Sequence, residues 1–147
     1  MDNWTWNVAW FSDPVFLGEY PKEGLEKFAD YLPEITEEDM QLIHQPLDFM
    51  GQNIYNGYMI RCGADGDPEY VDRAPGTAKT GTGWPVTPEA LYYGIRFLTE
   101  RYRLPLYITE NGMSDLDNIS ADGQVHDRER ITFLDAYLGA VQRAINE

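Results

Sequence analysis

The clearest alternation of apolar and polar positions is Leu106-Tyr107-Ile108-Thr109-Glu110, an aromatic and β-branched run that stops at Asn111-Gly112, a strong turn signal. A strand over residues 105–110 puts Leu106, Ile108 and Glu110 on one face and Tyr107 and Thr109 on the other, so an apolar face ends in one carboxylate. Helical spacing flanks it. Upstream, Leu91, Ile95, Leu98 and Tyr102 predict a helix through about Arg103, with Thr87 as its cap and Pro88 at the first helical position. Downstream, Ile131, Leu134, Leu138, Val141 and Ile145 form an apolar stripe behind Asp127 as cap. Another strand is predicted over residues 48–55, where Phe49, Gly51, Asn53 and Tyr55 share a face. Strand, long loop, helix, strand, loop, helix is the order of a βαβα unit in a parallel sheet, whose functional groups gather at the carboxyl ends of strands.

The remaining pattern is shorter in range. Residues 4–11 hold Trp4, Trp6, Val8, Trp10 and Phe11, a spacing open to strand or helix, and Asp13-Pro14 should end any helix. Leu25, Phe28, Ala29 and Leu32 repeat at helical spacing between Pro21 and Pro33. Thr36 offers a cap, with Glu37, Glu38 and Asp39 at the positive end of a short helix carrying Met40 and Ile43; this outweighs a metal-binding reading of the acids. Residues 56–82 read as a long connection with a hairpin near Tyr58-Met59-Ile60. Gly76–Thr82 lacks the Lys-Ser/Thr that a phosphate loop needs after its last glycine. Asp115, Asp117, Asn118 and Asp122 fail the register of a calcium loop, and His44 and His126 lack neighbours at zinc-ligand spacing. No cofactor or metal is expected.

Composition narrows the partners. Among 147 residues, 25 acidic against 11 basic side chains give a net charge of −14. That opposes binding to nucleic acid or an anionic membrane and suits a neutral substrate. Cys62 is the only cysteine, so no internal disulfide is possible. No apolar run approaches the roughly 20 residues of a membrane span. The opening Met1-Asp2-Asn3-Trp4 is unlike a signal peptide, but in a fragment this says nothing about export; location stays unknown, with a cytoplasmic one expected ahead of a secreted one.

Ile108-Thr109-Glu110-Asn111-Gly112 resembles the nucleophile motif of the family 1 glycoside hydrolases, the β-glucosidase family of retaining (β/α)8 barrels. Further resemblances follow in the family's order: Asp13-Pro14 with Gly18-Glu19-Tyr20-Pro21, Asp48–Tyr55, Gly83-Trp84-Pro85-Val86-Thr87-Pro88, and Gly123–Asp127 with Arg130. The resemblance implies an α/β fold, a partial (β/α)8 TIM barrel with about two parallel strands and their crossover helices, as a single region over residues 1–147. A complete barrel usually takes about 250 residues, so the chain is expected to be a middle-to-late portion of one, with the missing barrel segments as partners. For residues 4–11 it implies a helix tail followed by an extended segment.

The resemblance also implies roles. Glu110 is the expected nucleophile, Tyr55 the tyrosine that hydrogen-bonds and positions it, and Asn53 a sugar ligand near the same carboxylate. Trp84 is an aromatic on which a sugar ring stacks; its alternative role is to pack its loop. A retaining glycosidase needs a second carboxyl group as proton donor. The family's Asn-Glu-Pro, which supplies it, occurs nowhere in these 147 residues. The expectation is therefore part of a retaining β-glycosidase acting on a β-glucoside or related β-glycoside, with little or no turnover by this chain alone. The rival is a non-catalytic carbohydrate-binding or structural module. Glycone, aglycone and oligomeric state stay open.

Overall fold

The computed structural model describes residues 8–147. The expectations for Trp4 and Trp6 lie outside the described residues. The chain divides into two compact units, Met1–Phe49 and Met50–Glu147.

In the first unit α1 spans Val8–Phe16 and, against expectation, runs through Asp13-Pro14. Proline forfeits one intrahelical hydrogen bond, but Ser12, Asp13 and Pro14 are all buried, so packing holds the helix across the missing bond. Leu17 N–H still donates to Asp13 O at 2.7 Å. The stop comes at Gly18, whose φ of +76° is the left-handed conformation glycine adopts after a helix. Next, α2 spans Lys22–Phe28, with Pro21 at its cap, and tightens into a 3₁₀ turn at Ala29–Tyr31. Helix α3, Glu37–Ile43, begins as expected with a capping box: Asp39 N–H donates to Thr36 Oγ1 at 3.1 Å and Thr36 N–H to Asp39 Oδ2 at 3.0 Å.

The second unit is built on two parallel strands, β1 (Met50–Asn53) and β4 (Leu106–Glu110). Strand β1 is shorter than the expected residues 48–55. The connection carries an antiparallel hairpin, β2 (Ile60–Cys62) and β3 (Pro68–Tyr70), where one was expected, and then helix α4 (Pro88–Tyr102). Arg103, at φ 54°, ends α4, and α5 (Arg128–Asn146) closes the chain. Leu91, Phe133 and Tyr137 form the core, with Ile54, Val86, Ile95, Ile108, Met113 and Val141 packed against it. This is a partial α/β fold, consistent with a barrel segment.

Three local expectations are corrected. Thr87 stands at the cap of α4, but its hydroxyl accepts Gly57 N–H at 3.0 Å instead of a helix N–H. Asp127, at φ 48°, makes no cap hydrogen bond; its carboxylate accepts from Arg130 Nη1 at 2.7 Å. On α5 the face turned inward is Phe133, Tyr137 and Ala144, while Ile131, Leu134, Leu138 and Ile145 are exposed. Two apolar stripes share that helix, and the aromatic one packs on the core together with Val141 of the expected stripe.

Candidate active site

Glu110 is the last residue of β4, and the sheet irregularity beneath it sets its direction. Gln52 pairs with Ile108 but Asn53 pairs with Glu110, so Thr109 is the extra residue of a bulge. Ile54 N–H donates to Glu110 O at 3.1 Å, and Asn111 Nδ2 donates to Ile54 O at 2.7 Å. The strand end and the turn after it are thereby tied to the segment leaving β1.

Tyr55 follows in that segment, and its hydroxyl donates to Glu110 Oε2 at 2.5 Å. The carboxylate holds the phenol's proton: hydrogen bonding to Glu110 first, then burial, then the negative charge raise the Tyr55 pKa above its ordinary value. The bond engages one of the two carboxylate oxygens of Glu110. Asn53 reaches the same end of the sheet, where its Oδ1 accepts from Thr109 Oγ1 at 2.6 Å; Tyr55 is the side chain on the carboxylate itself.

Trp84 meets Tyr55 edge to face, with ring centroids 5.6 Å apart and planes at 68°. It remains 50 % exposed, so it both packs against Tyr55 and presents open aromatic surface. Its placement depends on residues the sequence pattern did not single out. Buried Thr80 closes a turn around it: Thr80 N–H donates to Trp84 O at 2.8 Å and Trp84 N–H to Thr80 Oγ1 at 3.1 Å. The same turn is bolted to the loop after Glu110, since Gly81 N–H donates to Ser114 O at 2.7 Å and Thr82 N–H to Ser114 Oγ at 3.0 Å. Alternating threonines among glycines, Thr80-Gly81-Thr82-Gly83, were the only sequence signal for this lock.

The acidic loop beyond is held by side chains of the protein itself, one guanidinium and one imidazole. Arg130 donates to Met113 O at 3.2 Å and to Asp117 Oδ1 at 2.6 Å, while His126 Nε2 lies 2.8 Å from Asp122 Oδ2. Among the described residues no group of His, Cys, Asp and Glu is arranged to hold a metal, and no helix is long and apolar enough to cross a membrane.

Sequence and structure comparisons agree on one family. The profile of Glycosyl hydrolase family 1 matches residues 1–147. The chain is 38 % identical over 144 residues to β-glucosidase A of Thermotoga maritima, covering 96 % of this chain and 32 % of that one. It is 38 % identical over 142 residues to a β-glucosidase of Agrobacterium sp., covering 93 % and 31 %. The Thermotoga maritima β-glucosidase solved in complex with castanospermine superposes with a TM-score of 0.80 at 38 % identity, over 95 % of this chain and 32 % of that structure. The chain thus spans about a third of the length of the relatives it matches. A match of the family profile over every residue shows that the chain belongs to glycosyl hydrolase family 1.

Proposed function

We propose that these residues are the nucleophile side of a retaining β-glycosidase site of the β-glucosidase type, carried on a segment of a (β/α)8 barrel that extends over the single region 1–147. Glu110 attacks the anomeric carbon of a β-glucoside, the glycosidic C–O bond breaks, and water later releases the sugar from the Glu110 ester. Tyr55 holds the attacking carboxylate by its hydroxyl. Asn53 and the open face of Trp84 receive the sugar. The observation that carries the reading is the 2.5 Å hydrogen bond from Tyr55 to a carboxylate at the end of a parallel strand. The family membership and the β-glucosidase relatives support it.

The leaving oxygen needs a proton from a second carboxyl group about 5–5.5 Å from the first. No Asn-Glu-Pro is present in these 147 residues to supply it. Loss of a general acid costs on the order of 10²–10⁴ in rate, so this chain by itself hydrolyses ordinary β-glucosides little or not at all. The test uses a dinitrophenyl fluorodeoxy-β-glucoside, whose leaving group needs no proton. The chain is treated alone and after refolding with the segments of Thermotoga maritima β-glucosidase A that it does not span. Mass spectrometry should find the sugar ester on Glu110 in the reconstituted sample, and none in Glu110→Ala. An ester on another carboxylate, or a product of inverted configuration, would sink the assignment. Half-exposed Trp84 also fits a sugar-binding module; that reading wins if sugar binding survives Glu110→Ala and the parent chain never forms an ester.

A further inference from the structure

Tyr137 lies at the centre of α5, only 1 % exposed, stacked on Phe133 with ring centroids 3.8 Å apart and planes at 19°. Its hydroxyl leaves this core between two loops. It donates to Tyr55 O at 2.9 Å and accepts Thr87 N–H at 2.8 Å. A phenol has one O–H to give and lone pairs to receive, so the two bonds make it a bridge. Both ends of the bridge matter. One is the carbonyl of the residue whose side chain holds Glu110; the other lies three residues after Trp84. The ring of contacts closes through Thr87 Oγ1, which accepts Gly57 N–H at 3.0 Å. On the upstream side Ile54 is held by Glu110 O and by the Asn111 amide.

We propose that Tyr137 is a positioning residue: through the Tyr55 carbonyl and the Thr87 N–H it fixes how the Tyr55 phenol meets Glu110 and how far Tyr55 stands from Trp84, while touching neither the carboxylate nor the sugar. Its functional meaning rests on the proposed role of Glu110. A phenol–carboxylate hydrogen bond depends steeply on distance and angle. Without the bridge the Tyr55 carbonyl loses this hydrogen bond, so the peptide between the Ile54 and Gly57 anchors can turn and shift the phenol on the carboxylate.

The second unit contains its own control. Tyr92, on α4, donates to Glu147 Oε2 at 2.5 Å, and that bond is the first cause of its raised pKa, as the Glu110 bond is for Tyr55. Loosening of α4 against α5 disturbs Tyr92. Loss of the bridge alone does not. The experiment titrates the 147-residue chain made with ring-carbon-labelled tyrosine, following Tyr55 and Tyr92 by NMR after assignment with Tyr55→Phe and Tyr92→Phe. In Tyr137→Phe, which keeps the stacked ring, the Tyr55 midpoint should fall toward the ordinary tyrosine value of about 10, with Tyr92 still raised. In Phe133→Leu, which keeps the hydroxyl, Tyr55 should stay raised.

A folded Tyr137→Phe chain with Tyr55 still raised overturns the proposal. So does a Phe133→Leu chain in which Tyr55 falls as far and Tyr92 does not move. If both midpoints collapse in Tyr137→Phe because the chain has unfolded, para-aminophenylalanine at position 137 decides. Tyr55 raised alongside Tyr92 supports the bridge, and Tyr55 falling alone overturns it. No sugar enters the titration, so its outcome is independent of whether Glu110 proves to be the nucleophile in the labelling experiment.

Discussion

Gly57 shows how closely the segment behind Tyr55 is packed. A Cβ built there would lie 2.8 Å from the Ala90 Cβ at the start of α4, nearer than side-chain carbons approach, and Gly57 N–H is already tied to Thr87 Oγ1. Gly57→Ala should therefore lower the urea midpoint. The overpacking costs roughly 1–3 kcal/mol, against about 0.4–1 kcal/mol gained by stiffening the unfolded chain. An unchanged or higher midpoint would mean that the start of α4 moves aside freely. At this scale the placement of Glu110 and Tyr55 at or just past the end of a patterned strand was legible from the pattern, while the hydrogen bond between them was expected only from the family resemblance. Tyr137 was not: its hydroxyl meets a carbonyl 82 residues away, and no local pattern encodes that meeting. Thr80 is similar, a threonine in a glycine-rich stretch whose two bonds to Trp84 exist only once the turn has formed.

The elements divide by whether their caps and faces depend on neighbours. Helix α3 was readable because Thr36 and Asp39 satisfy each other three residues apart. Thr87 and Asp127 have equally good capping chemistry, but Gly57 and Arg130 claim their oxygens. The parallel pair was legible from strand–helix order. The inward face of α5 was not, because two apolar stripes compete and only packing chooses between them. The α3 cap also carries a sign for pH. Its backbone and side-chain hydrogen bonds from Thr36 hold the Asp39 carboxyl below the ordinary 3.8. A lowered folded pKa contributes stability that is fully present above 3.8 and lost as pH falls through the lower folded value. Amide exchange at Asp39 and Met40 should accelerate on acidification through that window, relative to the base-line change of exposed amides. In Asp39→Asn the acid-dependent step should disappear. Equal steps in both chains would place the acid sensitivity elsewhere.

At the scale of the whole chain, apolar surface and charge oppose each other. Strands β1 and β4 pair only with each other among the described residues, so each keeps an outer edge with no further strand beside it. A parallel pair is ordinarily covered on both faces, yet Tyr107 is 60 % exposed on one of them, and Ile131, Leu138 and Ile145 on α5 are 62 %, 64 % and 75 % exposed. These surfaces favour self-association of the 147-residue chain, while its net charge of −14 resists it. Screening decides which prevails: the Debye length falls from about 30 Å at 0.01 M salt to about 8 Å at 0.15 M. Sedimentation velocity should therefore find larger species as salt rises. Because Ile131 and Leu138 already face solvent, Ile131→Lys with Leu138→Lys should change the folded unit's stability by no more than about 1 kcal/mol in total while weakening association at the higher salt. A chain that stays monomeric at every salt concentration would show that the open edges and the α5 stripe do not drive association. A lysine pair with no effect would assign association to the strand edges instead of to α5.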